Sequence, residues 1–385
     1  MVEEGGNSPI TMKLTKTPLL PFVFAFLAPI SFAAQFEDGD DFYDDLEVPE
    51  LHFRVFGDLG ASYENPDSLS NGGFGFGSLD FIVTGTMGEH LLFFSETLIE
   101  GAGEDSIGLD QERAWAMWSM SDEFYLKMGM DHTVVSLWNR TYHHGKWLET
   151  TISRPFLATF EDDGGALPMH YVGLETGGLW QTTGGELDWT AILSNGRGPD
   201  VDNRQRVGDS NDSKAVALSL AFTPASFDAL TFGVSGHMDL IPPDLSDAAR
   251  LGNISESILG LFATYECAET GAEWIGEWST VTHDDAASGT TYDHNLAYLQ
   301  VERSIENWTP YTRFDMKNMD MGDPYFSPLN QDLDRWQQTI GLRKEIADGA
   351  ALKFEVGFGR GEVRGIGGVQ TDDIITAALQ LSWTF

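Results

Sequence analysis

The chain has 385 residues, with 22 Lys and Arg against 60 Asp and Glu, a formal charge of −38 and one cysteine. That charge excludes nucleic acid as a partner, because phosphate binding needs a basic surface, and a lone Cys267 excludes an internal disulfide. A mean hydropathy of −0.19, with no apolar run of about 18 residues after the N-terminus, excludes a spanning helix. It leaves a membrane barrel open, since barrel strands need only about 9–11 residues of alternating polarity.

The N-terminus reads as an export signal. Met12-Lys13-Leu14-Thr15-Lys16-Thr17 is basic, Leu19 to Ile30 is apolar apart from its prolines, and Ser31-Phe32-Ala33-Ala34 ends in small residues. Basic, apolar and small stretches in that order form a secretory signal. Residues 1–33 are therefore expected to be removed, with Met12 as the expected start because Glu3 and Glu4 suit a signal poorly. Residues 34–50 form an acidic segment, densest from Glu37 to Glu47. Such a run repels itself and stays solvated; a divalent-ion or peptidoglycan contact is the alternative.

From Leu51 onward, segments of alternating polarity are separated by Gly, Asp, Asn and Pro clusters, the pattern of strands and turns. Strands are expected near 51–62, 73–84, 90–98, 112–119, 123–130, 168–180, 186–194 and 214–222. The second half continues near 229–238, 255–265, 271–281, 294–304, 308–316, 335–344, 351–360 and 373–385. Residues 351–359 show the pattern: Leu352, Phe354, Val356 and Phe358 oppose Lys353, Glu355, Gly357 and Gly359. A period of two fits any half-buried sheet. The connections are more specific, because they alternate short and long. Ser121-Asp122, Thr182 to Gly185, Thr223 to Asp228 and Ala347 to Gly349 are short. Residues 99–111, 131–167, 195–213, 239–254, 282–293, 317–334 and 361–372 are long. Tight turns on one rim and long loops on the other mark an outer-membrane barrel.

The last strand places Ile375, Ala377, Leu379, Leu381, Trp383 and Phe385 on one face. Phe124, Trp308 and Phe385 fall at the short-turn rim and Trp336 at the other, where aromatic girdles sit. A strand in lipid must pair both edges, so the sheet has to close. The expected fold is all-β: a closed antiparallel transmembrane β-barrel of about 16 strands, with short periplasmic turns and long extracellular loops.

An even count near 16, an aromatic C-terminal Phe385 and a longest loop after the fifth strand resemble the bacterial porin superfamily over residues 51–385. The resemblance implies an outer-membrane channel of a Gram-negative bacterium, in contact with lipid and lipopolysaccharide. It also implies assembly guided by machinery that recognises Phe385, a homotrimer, no cofactor and no enzymatic activity. In porins the third loop folds into the barrel, and here the third connection on the long-loop rim, after 63–72 and 99–111, is 131–167. Trp138, Tyr142, Trp147, Phe156, Leu157 and Phe160 give that loop an apolar content suited to packing inside. Arg140, His143, His144, Lys146, Glu149, Arg154, Glu161, Asp162 and Asp163 would supply the constriction. Arg54, Lys127, Arg313, Arg343 and Lys353, on the polar sides of their strands, would supply basic wall charges.

His132, His143, His144 and His170 lie in or beside this loop, although the chain has 9 histidines in all. Imidazoles near carboxylates bind Zn, Cu or Ni, while hydrogen bonding of the loop to the wall is the structural alternative. Acidic loops at Asp200 to Asn203, Asp209 to Asp212 and Asp320 to Asp323 read as solvated surface, with Ca²⁺ binding as the alternative. No Gly-x-Ser-x-Gly and no Cys-x-x-Cys-His occurs, so neither a nucleophile elbow nor a covalent haem is expected.

The expected function is passive or solute-selective diffusion of small hydrophilic solutes, with mild cation preference. Three alternatives stand beside it. One is a scaffold sheathing an electron-transfer or secretion partner, and another is a metal-ion-selective channel using the loop histidines. The third is a barrel enzyme with a Ser/His/Asp site assembled across strands.

Overall fold

The computed structural model describes residues 50–65, 73–101, 106–143, 145–202, 207–210, 212–247, 250–365 and 368–385. The expected export signal, and the expected acidic segment apart from Glu50, lie outside them. The described residues form sixteen strands. The first eight are β1 (Glu50–Asn65), β2 (Gly73–Met87), β3 (Leu91–Gly101), β4 (Ile107–Ser121), β5 (Phe124–His132), β6 (His170–Thr182), β7 (Gly185–Ser194) and β8 (Ala215–Pro224). They continue as β9 (Leu230–Ile241), β10 (Ile254–Cys267), β11 (Ala272–Asp285), β12 (Thr290–Arg303), β13 (Trp308–Asn318), β14 (Arg335–Ala347), β15 (Ala350–Gly365) and β16 (Gly368–Thr384). Each pairs antiparallel with its sequence neighbours. β1 meets β16, from Phe56 opposite Thr384 to Asn65 opposite Ile375, and the sheet closes. The Val55 and Phe385 backbones exchange bonds of 2.9 and 3.1 Å at the seam.

Alternation decides what each face meets. On β15, Leu352, Phe354 and Phe358 are exposed outward, while Lys353 and Glu355 are buried inward. Leu261, Leu299, Phe314 and Ile340 continue the exposed apolar surface on other strands. The buried inward set includes Asp80, Glu96, Glu175, Glu277, Arg313 and Asp315. An apolar exterior around a charged interior inverts a soluble protein and is what hydrocarbon requires of a closed sheet. No helix among the described residues is long and apolar enough to cross a membrane.

One rim carries tight turns throughout. Between β14 and β15 the turn is Asp348-Gly349, and Gly349 sits at φ +75°, the left-handed conformation that makes Asp-Gly a hairpin turn. The other rim corrects the expected loop lengths. β11 runs to Asp285 and β12 starts at Thr290, so only 286–289 of the expected 282–293 is loop. Likewise β3 and β4 leave 102–106, and β15 and β16 leave 366–367. The reason is polar pairing: Thr282 Oγ1 donates to Asp293 at 2.7 Å and Thr291 Oγ1 to Asp284 at 2.6 Å across the exposed face. Beyond the lipid the apolar period stops, but the hydrogen-bond ladder goes on.

Four connections on that rim stay long: 133–169, 195–214, 242–253 and 319–334. Three of them contribute to an apolar core inside the barrel. Trp138, Leu157, Leu167 and Met169 pack with Val201, Tyr325 and Phe326 against Ile241, Ile254, Ile258, Val281, Leu296 and Tyr298 of β9–β12.

Candidate functional site: the lumen and its inward loop

The connection 133–169 leaves the wall between β5 and β6 and crosses the interior. Ser136 caps a short helix, α1 (Leu137–Tyr142), with its hydroxyl accepting from Asn139 N at 3.2 Å. The helix start faces β11, where the Glu277 carboxylate accepts from Leu137 N and Trp138 N, both at 2.7 Å. Tyr298 O–H holds the same carboxylate at 2.8 Å. A negative charge at a helix start satisfies backbone donors that have no partner within the helix.

Further along, the wall supplies partners for each polarity of the loop backbone. Glu355 accepts from Ile152 N at 3.0 Å and from Tyr311 O–H at 2.9 Å. Asp315 accepts from Phe156 N at 3.3 Å, and Asp80 from Gly145 N at 2.7 Å. Arg343 Nη1 donates to the carbonyls of Trp147 and Glu149 at 2.5 and 2.9 Å. Arg313 Nη1 donates to Ser153 O at 2.8 Å, and Lys353 Nζ to Lys146 O and to Thr151 O, the latter at 3.2 Å. Backbone groups buried in a loop need such partners. Of the five wall bases, Arg313, Arg343 and Lys353 thus grip the loop. Lys127 is paired with Asp131 and Glu175 at 2.5 and 2.6 Å. Arg54 is exposed near the start of β1.

The loop charges divide. Glu149 is buried and paired with Lys146 at 3.1 Å. Arg154 donates to Ala158 O at 2.7 Å and His143 O at 2.5 Å, and stacks on Phe160 with its guanidinium carbon 4.1 Å from the ring centre. Glu161 is buried, and its carbonyl accepts from Gln331 Nε2 at 2.7 Å. Asp162 and Asp163 are exposed. His144 lies outside the described residues.

Cavities lie on both sides of the loop. One of about 510 Å³ opens toward the long-loop rim, with Arg154, Asp163, Glu64, Arg335 and Glu355 among its lining. Toward the short-turn rim, a cavity of about 350 Å³ is lined by Asp228, Glu266, Glu273 and Glu302 with Trp138 and Tyr142. A third, of about 400 Å³, sets Arg140 beside Glu186 and Asp188.

Histidines gather at two places in the interior. His132, His143 and His170 each offer a ring nitrogen within 4.8 Å of the others, with ring centres 3.8, 4.6 and 5.3 Å apart. The second group is a chain of ion pairs: His294 Nε2 to Asp323 at 2.8 Å, Asp323 to His283 Nδ1 at 2.6 Å, and His283 Nε2 to Glu256 at 2.9 Å. Glu256 also meets Arg197 at 3.4 Å and His237 at 3.5 Å. Burial opposes ionisation of Asp323, but hydrogen bonds and charge from His283 and His294 hold its carboxyl below the usual range.

No protein-family model matches the chain, and no curated protein is similar to it in sequence. Solved structures are similar in fold. An anion-selective porin from Comamonas acidovorans superposes with a TM-score of 0.62 at 12% identity, covering 88% of this chain and 100% of that one. The outer membrane channel DcaP of Acinetobacter baumannii gives 0.60 at 11% identity, over 88% and 97%. Vibrio cholerae OmpT in a trimer form gives 0.57 at 10% identity, over 88% and 100%. The fold is that of the bacterial porins.

On this porin fold, the bases that hold the loop, Arg313, Arg343 and Lys353, are ones the sequence names, whereas the carboxylates that hold it are not. The sequence does not single out Glu277, Asp315 or Asp80, and Glu355 reads only as a polar position of its strand. Asp323 reads as surface acid but is buried beneath two histidines. The signal for the second group is the register, which sets Asp239, Glu256 and His283 in one row across β9, β10 and β11.

Proposed function

We propose that the protein is an outer-membrane channel of porin type that passes small hydrophilic solutes with mild cation preference. The observation that carries this reading is the charged interior of a closed 16-stranded barrel, crossed by the loop 133–169 with segments of 195–214 and 319–334 packed beside it, and with cavities on both sides of that loop. About 16 strands enclose more space than wall side chains fill. Asp162 and Asp163, with Arg140 and Arg154, act at the constriction, while the pair of half-buried Lys146 and buried Glu149 shapes the loop.

Cation preference is supported by the acids of the short-turn side, Asp228, Glu266, Glu273, Glu302, Glu186 and Asp188, set against Arg140. Three wall bases are turned to loop carbonyls, which weakens their pull on anions. The similar anion-selective porin does not oppose this, because a shared fold fixes no lumen charge. A homotrimer in a Gram-negative outer membrane, with Phe385 read by the assembly machinery, completes the reading; the trimer form of the Vibrio protein supports it.

Reversal potentials across planar bilayers test the selectivity. Cation preference is expected at low salt and should fade as the Debye length shortens from ~30 Å at 0.01 M to ~10 Å at 0.1 M. Anion preference at low salt would refute it.

A further inference from the structure

We propose that His132, His143, His170 and Glu112 bind one divalent ion of the zinc class at the root of the inward loop. The place is specific. His132 ends β5, His170 begins β6, and the two are paired directly across the strands where the loop departs. His143 follows α1 and returns to them. Glu112 comes from β4, where it is the extra residue of a β-bulge between Gln111 and Arg113. Bulges re-aim single side chains, and this one buries the carboxylate beside the imidazoles.

The donor atoms converge. Glu112 Oε2 lies 3.0 Å from His170 Nε2 and 3.4 Å from His143 Nε2. Ligands about 2.0–2.1 Å from a tetrahedral zinc are roughly 3.3 Å from one another, so the two Glu112 separations match those of atoms sharing an ion. The three imidazoles, with ring nitrogens within 4.8 Å of one another, need to draw together by at most about 1.5 Å. The Asn139 carboxamide oxygen faces His143 Nδ1. An acceptor there holds the proton on Nδ1 and turns Nε2 into a donor for metal, the usual outer partner of a ligating histidine. Three imidazoles and one carboxylate, with no thiolate, suit Zn²⁺, Cu²⁺ or Ni²⁺ over Mg²⁺ or Ca²⁺. All four side chains are buried. A full set of protein ligands describes a structural site rather than one with an open position for a reacting water.

The second histidine group shows the contrast. There His283 has a carboxylate at each ring nitrogen, at 2.6 and 2.9 Å, and His294 has Asp323 at 2.8 Å. That group is a continuous chain of ion pairs, and the donor atoms of His283, His294 and Asp323 too lie within 4.8 Å of one another. At the loop root one carboxylate faces two histidines, and the His132 ring centre lies 3.8 Å from that of His143 with the rings tilted by 32°. A bound ion there would join β4, β5, β6 and the end of α1, fixing both ends of the loop to the wall. The site stands apart from the channel reading, because binding is measured in detergent without any current.

The test uses the full folded chain, stripped by chelator and titrated with Co²⁺ and then Zn²⁺. One ion per chain is expected, with the intense visible bands of four-coordinate cobalt, no thiolate charge-transfer band, and displacement by zinc. His143→Ala should abolish the cobalt spectrum, and Asn139→Ala should weaken binding by about 10–100-fold. Asp323→Asn, in the other group, should leave binding unchanged. Heat-modifiable migration on gels verifies that each variant folds. X-ray absorption of the zinc-loaded wild type needs no variant and should show three imidazoles and one oxygen at about 2.0–2.1 Å. Absence of stoichiometric binding, a shell of water oxygens, or a cobalt spectrum unchanged in folded His143→Ala would overturn the proposal.

Discussion

Replacing Glu277 by alanine removes the wall's hold on the start of α1. In the native protein this carboxylate accepts from Leu137 N, Trp138 N and Tyr298 O–H at 2.7, 2.7 and 2.8 Å. Hydrogen bonds to a charged group contribute about 1.5–3 kcal/mol each. They are not additive, and truncation lets water reach the freed donors, so the net loss is set near that of breaking one buried charged pair, about 3–5 kcal/mol. At 1.4 kcal/mol per factor of ten, the ratio of docked to undocked loop falls by roughly two to three and a half powers of ten. Glu277→Gln keeps the shape and an acceptor oxygen and should fall between. Two assays read the loop. Open-channel current noise should rise, and trypsin should gain access to Arg140, Lys146 and Arg154 while the barrel remains heat-modifiable. Noise and tryptic pattern identical to wild type in a folded Glu277→Ala protein would refute the reasoning.

Acid should weaken the second histidine group. The Asp323 carboxyl is held below its usual value, so its contribution is present above the unfolded value of about 3.9 and is lost as pH falls through the lower folded value. Asp323→Asn is therefore expected to be less stable than wild type at neutral pH and to lose less stability below about pH 4; parallel stability curves would contradict this. At the N-terminus, sequencing of the mature protein should begin at Ala34 or Gln35, and an intact Met12 or Met1 on the membrane-inserted protein would count against the signal.

The sequence is most legible where a period of two persists. All sixteen expected strands have a counterpart, including the closing strand at Phe385, because each must show lipid an apolar face and water a polar one. The ends were harder to read. Thr282, Asp284, Thr291 and Asp293 are polar on the outer face and read as loop, yet they pair as strand. The loop aromatics gave its content, while its attachments came from residues far away in sequence. Glu277 is 139 positions from Trp138, and Glu355 is 203 from Ile152. Alternation assigns such residues to the inner face, but only barrel closure sets them against the loop. The histidine reading shows the same limit. His132, His143 and His170 stand out by residue type, whereas Glu112 reaches them through a bulge that no local pattern announces.

Single-channel conductance in planar bilayers tests the central claim most directly, with wild type compared to a protein lacking residues 138–160. A channel crossed by its own loop should give discrete steps from the purified wild type, and larger steps from the deletion once its barrel has assembled. No steps from the wild type, or steps of unchanged size after the deletion, would contradict the account.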